Sequence, residues 1–193
     1  MTDKSKFLFN FSKIKSGKHK SFAIWLTGLS GSGKSAIAYN LKKMLQGRGF
    51  PACIIDGDRL RETLSSDLGF SIKDRKENIR RAAAVAKMLI DNGIIAIVSL
   101  ISPFKNDRNA AKRFISAGLF IEVFVNCPLS ECEKRDTRGL YKKARAGKIK
   151  NFTGISSPYQ KPDNPQITVN TDKESVNSSC EKIIHCLLKS KPI

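Results

Sequence analysis

The chain contains few of the residues that build histidine, disulfide and zinc sites. Its 193 residues include only two histidines, His19 and His185, which are far apart in the sequence. Catalysis or metal binding by histidine is therefore not expected. The five cysteines are odd in number and form no CxxC pair. We interpret them as thiols of a reducing compartment rather than as a disulfide or zinc framework.

Long apolar runs are also missing, and no stretch of sequence is apolar for long enough to cross a bilayer. Residues 1–20 carry scattered lysines without a continuous apolar segment. We interpret them as a flexible basic lead-in, not as a signal peptide. No internal repeat or composition break follows, so the sequence predicts one cytoplasmic domain over residues 21–193.

Positive charge is in excess. The chain has 35 Lys and Arg residues against 17 Asp and Glu residues, a formal net charge of +18. Such a charge indicates anionic partners, without separating polymers, membranes and nucleotides. It is densest in residues 138–154, RGLYKKARAGKIKNFTG, where aromatic residues accompany the cations. This pattern fits either a nucleic-acid surface or a lid over a phosphorylated small molecule.

Short β-rich runs alternate with longer helical patterns along the chain. The alternation predicts an α/β fold with a doubly wound, five-stranded parallel sheet. Ligands of such sheets bind beyond the carboxyl ends of the strands. In the segment 74–93, Ile79, Ala83, Ala86 and Ile90 recur at helical spacing. The predicted strands are 22–27, 52–56, 94–100, 119–125 and 166–170, and the main predicted helices are 34–46, 74–93, 105–116 and 174–189.

The segment GLSGSGKS, residues 28–35, follows the first predicted strand and opens a helix. It fits the phosphate-loop pattern G-x-x-x-x-G-K-[ST], which binds ATP or GTP without indicating the acceptor. Lys34 is predicted to reach the β- and γ-phosphates, and Ser35 to ligate Mg²⁺. The predicted ATP-binding residues of this loop are Gly28, Leu29, Ser30, Gly31, Ser32, Gly33, Lys34 and Ser35.

Two carboxylates, Asp56 and Asp58, follow the second predicted strand. A carboxylate at this edge of the sheet can hold Mg²⁺ through water or accept a proton from an attacking hydroxyl. Asp58 is the candidate for these roles. For Asp56, an equally good interpretation is that it caps the helix that follows.

Further candidates lie after the carboxylates. Arg75, Asn78 and Arg81 fall at helical spacings that let them share a face, where arginine forks suit phosphate or sulfate. A solvated, charged helix is the alternative. Ser102 and Phe104 follow the third predicted strand. They fit either the mouth of a binding crevice, with Phe104 stacked on a base, or a helix cap and a packing side chain.

Together these motifs resemble the adenylyl-sulfate kinase family. The resemblance runs from about residue 22 to the last helix. The phosphate loop occurs in many kinases, whereas ENIRR, ISPF and GLYKKARAG with FTGI are more specific. The family transfers the γ-phosphate of ATP to the 3′-hydroxyl of adenylyl sulfate. Its product, 3′-phosphoadenylyl sulfate, is the activated sulfate donor in sulfate assimilation.

The resemblance implies a fold of the P-loop kinase type, ATP and adenylyl sulfate as substrates, Mg²⁺ as cofactor, and a basic lid at about 138–157. Arg135 resembles the family's contact to the ATP adenine. The serine at the position of Ser102 is often regarded as a phosphoserine intermediate; with no base beside it, we expect direct in-line transfer instead. The implied catalytic residues are Lys34, Asp58 and Ser102. The implied adenylyl-sulfate contacts are Asp58, Arg61, Phe70, Arg75, Asn78, Arg81, Ser102, Pro103, Phe104, Lys142, Phe152 and Ile155.

The chain departs from the family pattern at a few positions. Ala36 stands where threonine is usual, Arg59 where asparagine is usual, and RDTRG where RDPKG is common. None of these changes removes a residue that the chemistry requires. Two other interpretations stay open, a kinase for a related modified nucleotide and a nucleic-acid-binding module. We expect neither nucleic acid nor a membrane as partner, and a homodimer is an open alternative.

Overall fold

The computed structural model describes residues 21–189, and a five-stranded parallel sheet forms its centre. Its order is β2-β3-β1-β4-β5, so the phosphate loop leaves the middle strand. Successive connections run to opposite sides of β1, which opens a crevice at its carboxyl end. The strands are β1 (Ala23–Thr27), β2 (Ala52–Asp56), β3 (Ile95–Ser99), β4 (Phe120–Asn126) and β5 (Ile167–Asn170). The predicted α/β sheet is confirmed.

Helices cover both faces of the sheet. Side chains of β1 alternate between the faces, with Ile24 and Leu26 towards α1 and α7, and Trp25 towards α3 and α4. Each face therefore buries its own apolar core, the main stabilising contribution in such a fold. The helices are α1 (Lys34–Gly47), α2 (Gly57–Glu62), α3 (Ile72–Asp91), α4 (Lys105–Ile115), α5 (Leu129–Lys134), α6 (Leu140–Arg145) and α7 (Val176–Lys189).

The helix α3 begins earlier than the apolar periodicity indicated. Ser71 caps it, and Ser71 and Asp74 form a reciprocal capping box. The four predicted core positions of this helix are all buried. The chain leaves α3 through Gly93, whose φ of 78° lies in the left-handed region that favours glycine.

Parts of the sequence-based description lie beyond the structure. The predicted basic lead-in, residues 1–20, falls outside the described residues, and so does His19. Within residues 21–189, no helix combines the length and the apolar character that a membrane span requires. The five cysteines form no disulfide in this part of the chain.

Candidate active site

A cavity of about 630 Å³ opens at the carboxyl edge of β1, β2 and β3. Its size suits a nucleotide ligand. The fold brings together motifs that are far apart in the sequence, from the phosphate loop to the predicted lid. The predicted site residues that line this cavity are Ser30, Gly31, Gly33, Lys34, Ser35, Asp58, Arg61, Phe70, Arg75, Asn78, Ser102 and Pro103.

The phosphate loop needs its glycines because neighbouring backbone lies very close. A Cβ atom on Gly28 would lie 2.5 Å from the carbonyl oxygen of Val125, and one on Gly31 would lie 2.9 Å from that of Cys132. Gly31 also has a φ of 71°. The loop leads directly into the N-terminus of α1, where free backbone N–H groups favour anions. This local geometry is that of a phosphate-binding site.

Lys34 is buried beneath the loop. Its Nζ donates to the carbonyl oxygens of Gly28, at 3.0 Å, and Leu29, at 2.6 Å. Burial lowers the pKa of Lys34 to about 8, while the charges of Asp56 and Asp58 oppose the shift. The nearby Cys132 is a neutral thiol at neutral pH, because burial raises its pKa to about 12. The nearby carboxylates therefore offset only part of the cost of burying the Lys34 ammonium. A phosphate anion in the loop would favour the charged form of Lys34.

Asp56 caps the helix that follows it, which is one of the two interpretations that the sequence left open. It caps α2 by accepting a hydrogen bond from the backbone N–H of Asp58 at 3.0 Å. It also accepts one from the hydroxyl of Ser35 at 3.1 Å. The contact between Ser35 and Asp56 was not predicted, because it joins segments whose spacing carries no pairing signal.

Asp58 also lines the cavity and pairs with Arg138, which follows α5. Both side chains are exposed. Arg138 and the neighbouring Thr137 also line the cavity, although neither was a predicted site residue. The density of positive charge from residue 138 onwards was the available signal for Arg138.

One wall of the cavity carries cationic, aromatic and amide side chains. The Arg61 guanidinium lies 4.4 Å from the ring centroid of Phe70, a cation–π contact, and the Phe70 ring is exposed. Asn78 is 3% exposed, and its buried Oδ1 has no hydrogen-bond partner among the described residues. A buried acceptor in this state is suited to a donor group on a ligand.

Arg75 joins this wall to the basic segment. It donates to the hydroxyl of Thr153 and the carbonyl oxygen of Asn151, and its Nε donates to the Phe70 carbonyl oxygen at 2.9 Å. Burial and the neighbouring Arg61 lower its pKa from the usual arginine value. The segment 138–157 therefore contacts the cavity wall directly.

The same segment contacts the phosphate loop. The buried Tyr141 donates from its hydroxyl to the Ser30 carbonyl oxygen at 2.9 Å. Phe152 packs edge-on against Tyr141, with ring centroids 5.0 Å apart. Phe152 thus lies in the packing beneath the segment rather than in the lining of the main cavity.

Ser102 has an unusual backbone conformation. Its φ is 39°, in a region that residues other than glycine rarely occupy. The side chain is 2% exposed, and its hydroxyl accepts a hydrogen bond from Trp25 Nε1 at 3.1 Å. Of the two interpretations that the sequence left open, the crevice position agrees with the place of Ser102 in the cavity lining, although the residue is buried.

Several predicted contacts lie outside the main cavity of the described chain. Arg81 pairs with Asp67 and Glu77. Phe104 stands at the N-terminus of α4, and Lys142 lies exposed on α6.

Other predicted residues surround the phosphate loop. Leu29 and Ile155 line a second, more open cavity of about 500 Å³. Arg135 donates to the carbonyl oxygen of Thr171 at 2.9 Å, and the Thr171 hydroxyl donates to that of Ser32 at 2.8 Å. Arg135 therefore lies beside the phosphate loop.

Comparison with known proteins identifies the family. The protein-family model described as adenylylsulphate kinase matches residues 20–170, most of the chain. The chain belongs to the adenylylsulphate kinase family. The resemblance drawn from the motifs is confirmed by this match.

Individual adenylyl-sulfate kinases are similar over most of their length. The enzyme of Thermodesulfovibrio yellowstonii is 53% identical over 166 residues, covering 86% of this chain and 83% of its own. That of Clostridium acetobutylicum is 52% identical over 174 residues, covering 90% of this chain and 86% of its own. A solved structure, Mycobacterium tuberculosis APS kinase CysC in complex with AMPPNP and APS, has a TM-score of 0.85 and 44% identity, covering 89% of this chain and 99% of its own.

Proposed function

We propose that this member of the adenylylsulphate kinase family transfers the γ-phosphate of ATP to the 3′-hydroxyl of adenylyl sulfate, yielding ADP and 3′-phosphoadenylyl sulfate. One observation carries the proposal: a single cavity joins a phosphate loop to a wall of arginine, asparagine and phenylalanine side chains. The M. tuberculosis relative was solved with AMPPNP and APS together, so that protein binds both kinds of ligand.

On the phosphate side, the loop amides and Lys34 would hold the β- and γ-phosphates. Mg²⁺, when bound, would neutralise charge on the transferring phosphate. Ser35 and Asp56, whose oxygens lie 3.1 Å apart, would hold the ion, and Asp58 would act through water. Residues 21–189 contain no cluster of three or more His, Cys, Asp and Glu side chains suited to a metal. A sparse oxygen set fits Mg²⁺, which retains several waters and shares phosphate ligands.

On the acceptor side, the chemistry of the wall matches adenylyl sulfate. Arg61 and Arg75 present cationic forks for the phosphate and sulfate groups. The unpaired Oδ1 of Asn78 would accept a hydrogen bond from the ligand, and the exposed Phe70 ring would stack on its adenine. The lid cations would close over this charge and exclude water, which suppresses transfer to water.

The reaction needs no covalent enzyme intermediate. The 3′-oxygen forms a bond to the γ-phosphorus as the bond between that phosphorus and the β,γ-bridging oxygen breaks, and ADP leaves. The hydroxyl proton passes to Asp58, directly or through water. The hydroxyl of Ser102 is buried against Trp25, so this residue shapes the acceptor wall.

Acceptor specificity tests the proposal. The protein is incubated with Mg-ATP and adenylyl sulfate, AMP or the 3′-deoxy analogue of adenylyl sulfate, and products are identified by mass spectrometry. We expect a phosphorylated product with adenylyl sulfate alone. Equal phosphorylation of AMP would indicate a broader nucleotide kinase, and product from the 3′-deoxy analogue would contradict transfer to the 3′-hydroxyl.

A further inference from the structure

A buried arginine outside the proposed substrate contacts joins the acceptor wall to the end of the lid. Arg108 lies on α4 and is 3% exposed. It is not among the residues that line the main cavity in the described chain. Its guanidinium reaches three separate segments, and nothing in the reaction outlined above uses it.

Each nitrogen of the Arg108 guanidinium has its own partner. Nε donates to Glu122 Oε1 at 2.8 Å, and the pair is almost fully buried. Nη1 donates to the Ser102 carbonyl oxygen at 2.7 Å, and Nη2 to that of Gln160 at 2.8 Å. A guanidinium is planar and rigid, so these bonds fix the relative positions of the two backbone segments.

On the acceptor side, Arg108 stabilises the unusual backbone conformation of Ser102. Ser102 has its φ at 39°. Such conformations persist only where the surrounding structure holds them. The bond from Arg108 is one constraint, and a bond from the Thr27 hydroxyl to the Ile101 carbonyl oxygen, at 2.8 Å, is another. Ser102 and Pro103 line the cavity. A substitution of Arg108 would therefore shift the loop 101–103 and alter the acceptor side of the cavity.

On the lid side, Arg108 holds the residues that directly follow the lid. The backbone N–H of Gln160 donates to the Pro103 carbonyl oxygen at 2.8 Å, and its Oε1 accepts from the backbone N–H of Lys105 at 2.9 Å. The Tyr159 ring centroid lies 6.0 Å from the Arg108 guanidinium, and its hydroxyl bonds that of Thr27 at 2.9 Å.

The proposed lid also contacts the cavity wall that carries Arg61 and Phe70, because Arg75 donates to Thr153 and Asn151. Arg75 is itself a proposed substrate contact, so a bound acceptor would compete for its donors. The contacts around Arg108 have no such competitor. They hold the chain just after the proposed lid, and these contacts need not change when substrate binds.

We propose that Arg108 is a positioning residue for phosphoryl transfer. It holds the loop 101–103 and residues 159–160, which lie just after the proposed lid, in the relative arrangement that the closed acceptor site requires. This inference rests on the proposed function. It predicts an effect on adenylyl-sulfate turnover and little effect on ATP binding, because the phosphate loop lies outside the Arg108 contacts.

Three variants separate positioning from general stabilisation. Arg108→Lys keeps the positive charge, but a single ammonium cannot reproduce the fork. The double variant Arg108→Met/Glu122→Leu removes both buried charges and leaves none unpaired. Glu122→Gln is the control, since it breaks the ion pair but leaves both donors to the carbonyl oxygens. Melting temperature reports stability for each variant.

We expect kcat/KM for adenylyl sulfate to fall at least tenfold in both Arg108 variants. The KM for ATP should change less than threefold. Glu122→Gln should lower the melting temperature while keeping kcat/KM within threefold of the wild type. Unchanged kcat/KM in a folded Arg108→Lys protein would overturn the proposal. So would losses that simply follow melting temperature across the three variants.

Hydrogen exchange supplies a readout that does not depend on activity. In Arg108→Lys, amides of residues 100–104 and 158–161 should exchange faster, with β1 and β4 unchanged. Unchanged exchange in both segments would contradict the proposed constraint. If the wild-type protein fails to phosphorylate adenylyl sulfate, the proposed function fails, and the exchange result still decides whether Arg108 constrains the two segments.

Discussion

Lys34 links nucleotide binding to pH. Its pKa in the free protein is about 8, below the usual lysine value because the side chain is buried. Below pH 8 the ammonium is charged both before and after binding. Above pH 8 the free protein increasingly carries the neutral amine, whereas bound phosphates favour the ammonium. ATP binding should therefore take up close to one proton per site at pH 9 and much less than one proton per site at pH 7.

Calorimetry in two buffers of different ionisation enthalpy measures this proton uptake. Lys34→Ala is the control and should lose the uptake. It should also lower kcat at least about 100-fold, roughly 3 kcal/mol of transition-state stabilisation, without unfolding the protein. Equal proton uptake at pH 7 and pH 9, or retention of more than a few per cent of kcat, would show that the role assigned to Lys34 is wrong.

The two carboxylates at the end of β2 should differ in effect. Asp58→Asn should lower kcat on the order of 100-fold, because it removes the proton acceptor and an outer metal contact. Asp56→Asn should chiefly raise the Mg²⁺ concentration needed for half-maximal rate, since Asp56 contacts Ser35. Steady-state rates across a Mg²⁺ titration distinguish the two. Equal kcat losses at saturating Mg²⁺ would contradict this division of roles.

Ser102→Ala should keep substantial activity, within about tenfold of the wild type. Within residues 21–189, the hydroxyl hydrogen-bonds with Trp25 Nε1 and the Leu100 carbonyl oxygen, and neither of these groups is a base. Rapid quenching with labelled ATP checks the point. A serine phosphate that forms and decays at the turnover rate would establish the covalent route instead.

Single residues differ in how far the sequence predicted them. Lys34, Ser35 and the glycines follow from a contiguous motif, and the structure places them together between β1 and α1. Arg138 and the Ser35–Asp56 contact depend on folding, because residues far apart in sequence meet only at the sheet edge. Phe152 was predicted as an adenylyl-sulfate contact from the resemblance alone, and its packing against Tyr141 is an orientation that residue type does not determine.

At the scale of elements, the segment 138–157 combines a few packed residues with an exposed, strongly cationic surface. The ion pair between Arg138 and Asp58 is exposed to solvent, and such a pair contributes less than about 1 kcal/mol to stability. The segment also concentrates like charges that repel each other without an anion. We predict that it is poorly protected from hydrogen exchange in the free protein and becomes protected with ADP plus adenylyl sulfate.

Steady-state kinetics of variants provide a second test of the proposed lid. Lys142→Ala and Phe152→Ala should each raise the KM for adenylyl sulfate more than the KM for ATP. Lys43→Ala on α1, an exposed lysine outside the proposed lid, is the matched control and should change neither. High protection of the lid without ligand, or protection that appears only with RNA, would require another role for the segment.

The elements were predicted best where one pattern dominated. The apolar strands and the core face of α3 follow from periodicity. The start of α3 was missed because its capping box precedes the apolar repeat. The short helices α5 and α6 were missed because a single turn or two leaves little periodicity to detect, and packing of Cys132 and Tyr141 determines them instead.

For the whole molecule, the net charge of +18 was compatible with a nucleic-acid-binding protein, a membrane-surface protein or a nucleotide enzyme. The sheet order and the cavity favour the enzyme, because they gather the phosphate loop and the arginines at one edge. Self-association stays a prediction, to be measured by sedimentation of the full chain with and without substrates.

The most direct test of the central claim is ADP release from Mg-ATP, measured with and without adenylyl sulfate. We predict slow release from ATP alone, at least about 100-fold stimulation by adenylyl sulfate, and one 3′-phosphoadenylyl sulfate formed for each ADP. Lys34→Ala should abolish both rates. ADP release that is indifferent to adenylyl sulfate, or stimulated without formation of the phosphorylated product, would contradict the account.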